Sequence, residues 1–277
     1  MTGAWKRLGE VDPKGLSAAR LEIHHAAQVV SAIGITHLPH RPDDSHTNLE
    51  WMPVLEAFGG NLVSGPRPFR GALRPADFTL MLLEEDGWQI ESLSLQGKTL
   101  DTAYGWMSDA IGRATGPPAR ALVRPSYELP DHSTLKGGRF SDPMESFHEM
   151  GRWYGDAASL LLVLMAELSS EASPVRCWPH HFDIALLLTL GEGRTIGLGL
   201  SPGDAGYAEP YWYVTPYPYP KNPALPPLPE KGRWHTEGFF AAVLTGSDLV
   251  AGDSSMQRQR SETFLRAALS ACRAFSA

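Results

Sequence analysis

The stretch Cys177-Trp178-Pro179-His180-His181-Phe182-Asp183-Ile184-Ala185-Leu186-Leu187-Leu188 decides how the chain is read. Its second half is an apolar run of strand length. Its first half brings an indole, two adjacent imidazoles and a carboxylate to the mouth of that strand. Regular alternation places His181 and Asp183 on one face, with His180, Phe182, Ile184 and Leu186 on the other. Pro179 disturbs the first residues, so His180 can turn toward the same side.

Working outward, Gly193 leads into Thr195–Leu200, where Ile196, Leu198 and Leu200 share one face and Gly197 and Gly199 the other. That bare face invites close approach, with helix packing the default. Tyr211–Thr215 reads as a further strand, Pro216–Pro229 as proline-rich extended coil, and Phe239–Leu244 as another strand. A helix over Met256–Phe275 buries Phe264, Ala268, Cys272 and Phe275. Upstream, Asp142, Pro143 and Glu145 suit a helix start. Phe147, Met150, Tyr154, Ala157, Leu161, Leu164 and Leu168 then form one buried stripe.

The N-terminal half has the same order. A helix is expected over Leu16–Ile33, with His24 and Gln28 at i and i+4 beside Ser31. That polar strip either faces a cavity or forms a partly exposed flank. Pro39–Thr47 reads as a solvated polar loop carrying His40 and His46. Strand-like pieces follow at Trp51–Leu55 and Gly60–Val63, then a Pro-rich loop. Phe78–Leu83 turns at Asp86-Gly87 into Trp88–Leu95. A helix over Asp101–Ala114 ends at Gly116-Pro117-Pro118. Ala121–Val123 is expected as a short strand. The domain reading is 1–120, a connector 121–141, and 142–277. The fold class is α+β, two similar halves, each a mainly antiparallel sheet covered by helices, packed as one globule.

The 277 residues are 43% hydrophobic and 20% charged, the composition of an ordinary globular protein and not of a disordered chain. A net charge of -7 gives phosphate-backbone binding no long-range help, which argues against a nucleic-acid partner. The most apolar run, Ala157–Ala166, is too short to span a bilayer. Met1–Arg7 lacks a signal-peptide core, so a cytoplasmic location is expected. Two cysteines, Cys177 and Cys272, make neither a disulfide framework nor a Cys-based zinc site.

Two neutral imidazoles and a carboxylate can hold a divalent cation and leave open positions. His181, Asp183 and His235 are one such set, for zinc, iron or manganese. No arginine lies about one turn beyond His235 to hold an oxoacid co-substrate. Without a metal, His181 with Asp183, or His235 with Glu237, gives a carboxylate-oriented acid–base imidazole. Trp178, Glu209, Tyr211 and Tyr213 would then line an aromatic pocket, with His24 and Gln28 contributing to binding. No Gly-x-Ser-x-Gly elbow, P-loop or dinucleotide fingerprint occurs. The reading is an enzyme or binder of a small polar molecule whose catalytic residues are His181, Asp183, His235 and Glu209, gathered near the junction of the halves. The alternative is a non-catalytic interaction protein that docks a partner through 216–229, its His/Asp cluster purely structural.

Leu21-Glu22-Ile23-His24, Gln28 and Trp51-Met52-Pro53-Val54 are similar to the opening of a bacterial domain-of-unknown-function family, number 5996. Ser173-Pro174-Val175, Trp178, Phe182-Asp183-Ile184-Ala185 and Glu209-Pro210-Tyr211-Trp212-Tyr213-Val214-Thr215-Pro216-Tyr217-Pro218 extend the resemblance, in order, over residues 16–275. It implies a shared fold and no reaction, and His180-His181 looks less fixed there than Trp178 or Asp183.

Overall fold

The computed structural model describes residues 5–116, 120–141, 143–168 and 171–275. It is an α+β protein with two antiparallel sheets. The chain divides into two compact units, neither a single run of sequence. One comprises residues 18–151 with Cys177–Phe182, and the other residues 1–17, 152–176 and 183–277.

The first unit is built on α1 (Ser17–His37) and the strands β1 (Glu50–Met52), β2 (Ala57–Gly59), β3 (Phe69–Arg74), β4 (Thr79–Glu84) and β5 (Gln89–Ser94). These pair in sequence order as an antiparallel meander. Helix α2 (Leu100–Thr115) turns Ala103, Tyr104, Met107 and Ile111 inward, and Thr99 caps it by accepting the Thr102 N–H. Phe78 stacks on Phe147 with ring centroids 4.2 Å apart and meets Phe140 edge-on at 5.1 Å. Helix α1 is buried on all sides from Glu22 to Gly34. The flank reading of His24, Gln28 and Ser31 therefore fails: they are 4%, 0% and 1% exposed. His24 and Gln28 can occupy that position because they make the hydrogen bonds described below.

Several boundaries differ from expectation. Strand β1 stops at Met52 because Pro53 to Glu56 form a turn. Residues 60–63 make only an isolated bridge, Val63 to Phe69. Strand β3 occupies sequence read as loop, its pairing to β2 and β4 supplying what local pattern does not. Ala121–Val123 is not a strand. The cap assigned to Asp142, and Pro117-Pro118, lie outside the described residues.

Helix α3 (Met144–Leu168) runs through the division between the units. Strands β6 (Arg176–Trp178), β7 (Asp183–Gly191), β8 (Arg194–Ser201), β9 (Tyr211–Tyr217), β10 (Arg233–His235) and β11 (Ala241–Thr245) make the second sheet, in the order β10-β11-β9-β8-β7-β6. A short helix, α4 (Gly246–Leu249), precedes α5 (Ser254–Phe275). Helix α5 buries Phe264, Leu265, Ala268 and Cys272, and its Ser261 hydroxyl accepts the Trp212 indole N–H at 3.1 Å. On β8 the neighbouring strand β7 leaves no room for a side chain at Gly199. A Cβ on Gly199 would lie 2.4 Å from the Ile184 carbonyl oxygen and 2.6 Å from the Ala185 Cβ. Among the described residues no helix is long and apolar enough to cross a membrane.

One glycine sets the distance between α1 and the loop that follows it. A Cβ on Gly34 would stand 2.0 Å from the His46 carbonyl oxygen, and backbone cannot rotate away as a side chain can. Gly34→Ala should therefore destabilise the protein by about 1–3 kcal/mol. Gly105→Ala, in the exposed middle of α2 with no atom near the new methyl group, should stabilise by about 0.5–1 kcal/mol. Thermal unfolding of the two variants beside the parent measures both signs.

Candidate functional site

In the first unit the focal stretch is a turn, not the start of a strand. Residues 179–182 reverse the chain, the Phe182 N–H donates to the Trp178 carbonyl at 2.7 Å, and β7 begins only at Asp183. The expected alternation of His181 and Asp183 on one strand face therefore does not apply. Phe182 has φ of 60°, which breaks the extended geometry that alternation needs.

Helix α1 holds this turn. Its i, i+4 pair, His24 and Gln28, both reach the Pro179 carbonyl, His24 Nε2 at 2.7 Å and Gln28 Nε2 at 2.8 Å. A carbonyl only accepts, so His24 carries a proton on Nε2. Gln28 also donates to the His24 carbonyl at 3.0 Å and accepts the Tyr127 hydroxyl at 2.6 Å. The Phe182 ring lies parallel to the His24 ring, 5.1 Å between centroids, and tilts against Phe58. His24 and Gln28, expected to bind a ligand, are spent on positioning the turn.

His180 and His181 are exposed at the apex, ring centroids 4.4 Å apart. His180 meets the edges of Trp178 at 6.3 Å and Tyr127 at 6.0 Å. These rings form one wall of a hollow of about 510 Å³. The 123–127 segment forms another wall, held where the Val123 N–H donates to the Thr36 hydroxyl at 2.8 Å. Arg124, on the same wall, pairs with Asp101 and lies over the Tyr104 ring. The third wall is the loop read as solvated, with His40, Asp44 and His46. His40 and Asp44 are exposed but His46 is buried, and the three offer ligand atoms within 4.8 Å of one another. The available signal was the spacing His-x-x-x-Asp-x-His. That spacing points to a site only when Asp44 is counted with the two imidazoles.

The other expected site residues lie in the second unit. Asp183 opens β7 and accepts the Tyr213 hydroxyl across the intervening strand β8, on which Gly199 lies opposite Tyr213. His235 sits on β10 at the edge of the sheet, four strand spacings or about 19 Å from β7. Its Nε2 donates to the Glu237 carbonyl at 2.6 Å and its Nδ1 accepts the Tyr207 hydroxyl at 3.0 Å. Asp183 and His235 are thus not brought together, and no Glu237 carboxylate orients the His235 ring. Glu209 accepts the Ser247 N–H at 2.6 Å and so caps α4. Tyr211 donates to Asp204 at 2.5 Å, and Tyr207 packs on Tyr211 with centroids 4.7 Å apart. The proline-rich segment is tied down where the Trp234 indole donates to the Pro226 carbonyl at 2.9 Å.

Burial is the main cause that pushes the His24 imidazole down to about 3, with neighbouring His25, Arg20 and His181 adding to it and the Pro179 bond opposing it. His25 falls to about 4, again chiefly by burial, its Nε2 donating to the Pro130 carbonyl and its Nδ1 accepting the Thr134 hydroxyl. Both values lie below the ordinary 6.5, so between those limits the unfolded chain binds more protons than the native one. Stability is complete above pH 6.5 and declines with acid. Urea unfolding at pH 7 and pH 5 should differ by on the order of 2 kcal/mol for each of the two imidazoles. His24→Asn should remove one share of that difference, whatever its stability at pH 7.

Compared with known proteins, the chain matches no family model, no curated protein and no solved structure.

Proposed function

We propose that the protein binds a small polar molecule with a flat, unsaturated body in the hollow walled by Trp178, Tyr127 and the 39–47 loop. The observation that carries this reading is the convergence of three separate stretches of the first unit on one hollow of about 510 Å³. That volume lies within the range of small-molecule sites. Trp178 and Tyr127 present aromatic rings, and the imidazoles of His40 and His180 supply polar groups at the rim. Floor and walls are held by the protein's own hydrogen bonds, from His24 and Gln28 to Pro179 and from Val123 to Thr36. His180 is the group on this rim from which acid–base chemistry on a bound molecule would start.

Ligand-observed NMR with benzoate, nicotinate, cinnamate and uracil tests the reading. At least one should bind the parent protein, Trp178→Ala should weaken it by about tenfold, and His235→Ala should leave it unchanged. Absence of binding by all four, or equal binding by Trp178→Ala, overturns the proposal.

A further inference from the structure

We infer that His40, Asp44 and His46 form a binding site for a borderline divalent cation of the zinc class, at the rim of the hollow. The donor set is two imidazoles and one carboxylate, with ligand atoms within 4.8 Å of one another. A zinc ion needs them drawn somewhat closer than that, and exposed His40 and Asp44 have room to rotate inward. His46 is the fixed member: it is 6% exposed, its carbonyl lies against Gly34, and its ring meets that of His40 edge-on at 5.0 Å. The loop between them is closed by its own bonds. The Asp44 N–H donates to the Arg41 carbonyl, the Thr47 N–H donates to the Asp44 carbonyl, and the Asn61 amide donates to the Ser45 carbonyl.

Two features oppose the cation and both are small. The Arg41 backbone N–H donates to His46 Nδ1 at 3.3 Å, a long bond, so a cation at that nitrogen displaces it and one at Nε2 requires the other tautomer. Either change costs about one neutral hydrogen bond, less than a metal–imidazole bond returns. Arg124 shares the hollow, but Asp101 pairs with it. Three protein ligands leave the cation a further position on the side of the hollow, the arrangement of reactive rather than purely structural zinc sites. The site stands independently of the proposed organic ligand.

The test is titration of the full chain with Zn²⁺ against a chromophoric chelator, and with Co²⁺ followed by its visible d–d bands. One equivalent should bind, and Co²⁺ should show a four- or five-coordinate spectrum. His40→Ala and Asp44→Asn, both exposed and so with little packing to lose, should each weaken Zn²⁺ about a hundredfold at unchanged metal-free melting temperature. The double variant His180→Ala/His181→Ala, and Trp178→Ala, should bind Zn²⁺ as the parent does. Failure of the parent to bind one equivalent, retention of affinity in both loop variants, or loss of it in the His180/His181 double variant would each overturn the site.

Discussion

The carbonyl of Pro179 is the acceptor on which the first unit's local order depends. It is buried, and both its donors come from one face of α1, His24 and Gln28. Each bond contributes only about 1 kcal/mol net, but leaving such a group unpaired costs about 1–3 kcal/mol. The network is therefore close to all-or-none. Gln28 makes it so, because its amide joins the turn, the helix backbone and Tyr127 at once, leaving no donor or acceptor of the side chain idle. An imidazolium at His24 would still donate to Pro179. It would also carry a charge into a buried site, and so His24 stays neutral.

That network divides the chemistry-bearing residues into two kinds. Side chains committed to holding backbone are buried and hydrogen-bonded: His24 and Gln28 on Pro179, His25 on Pro130, Glu209 on the first turn of α4. In the second unit the tyrosine hydroxyls are committed in the same way, Tyr213 to Asp183 and Tyr211 to Asp204. Reactive-looking residues in the sequence thus serve mostly as ties. The groups presented toward solvent are those at reversals of the chain, the His180-His181 apex and the His40–His46 loop. Both sit on backbone stiffened from beneath, which fixes where an exposed side chain starts while leaving its rotamer free.

The helices were legible in the sequence because their burial stripes run over many turns, as for Phe147 to Leu164 in α3 and Phe264 to Cys272 in α5. The Asp86-Gly87 hairpin was legible because one dipeptide carries it, Gly87 adopting φ of 86°. Strand β3 was not, since Phe69-Arg70-Gly71-Ala72-Leu73-Arg74 has little strand preference of its own and is held by neighbours on both sides. The candidate site was read only in part. Trp178, His24 and Gln28 were found as a group, but the partners of His24 and Gln28 lie about 150 residues away, a pairing no local spacing encodes. The His181-x-Asp183 spacing suggests a metal pair only on an extended strand, and residues 179–182 form a turn. His235 was a distance in sequence with no topology attached, and three intervening strands separate it from β7.

Phe182 shows why alternation stops one residue before Asp183. A bulky non-glycine residue with φ of 60° stores about 1–3 kcal/mol of backbone strain. An aromatic ring buried completely returns about 1.5–3 kcal/mol, and its contacts with the His24 and Phe58 rings add to that. A glycine would relieve the strain and lose the burial. An extended backbone would keep neither the Phe182 N–H on the Trp178 carbonyl nor the Pro179 carbonyl under His24. The left-handed residue is thus the condition for the turn, the turn for the exposed histidines, and His180 among them for that wall of the hollow.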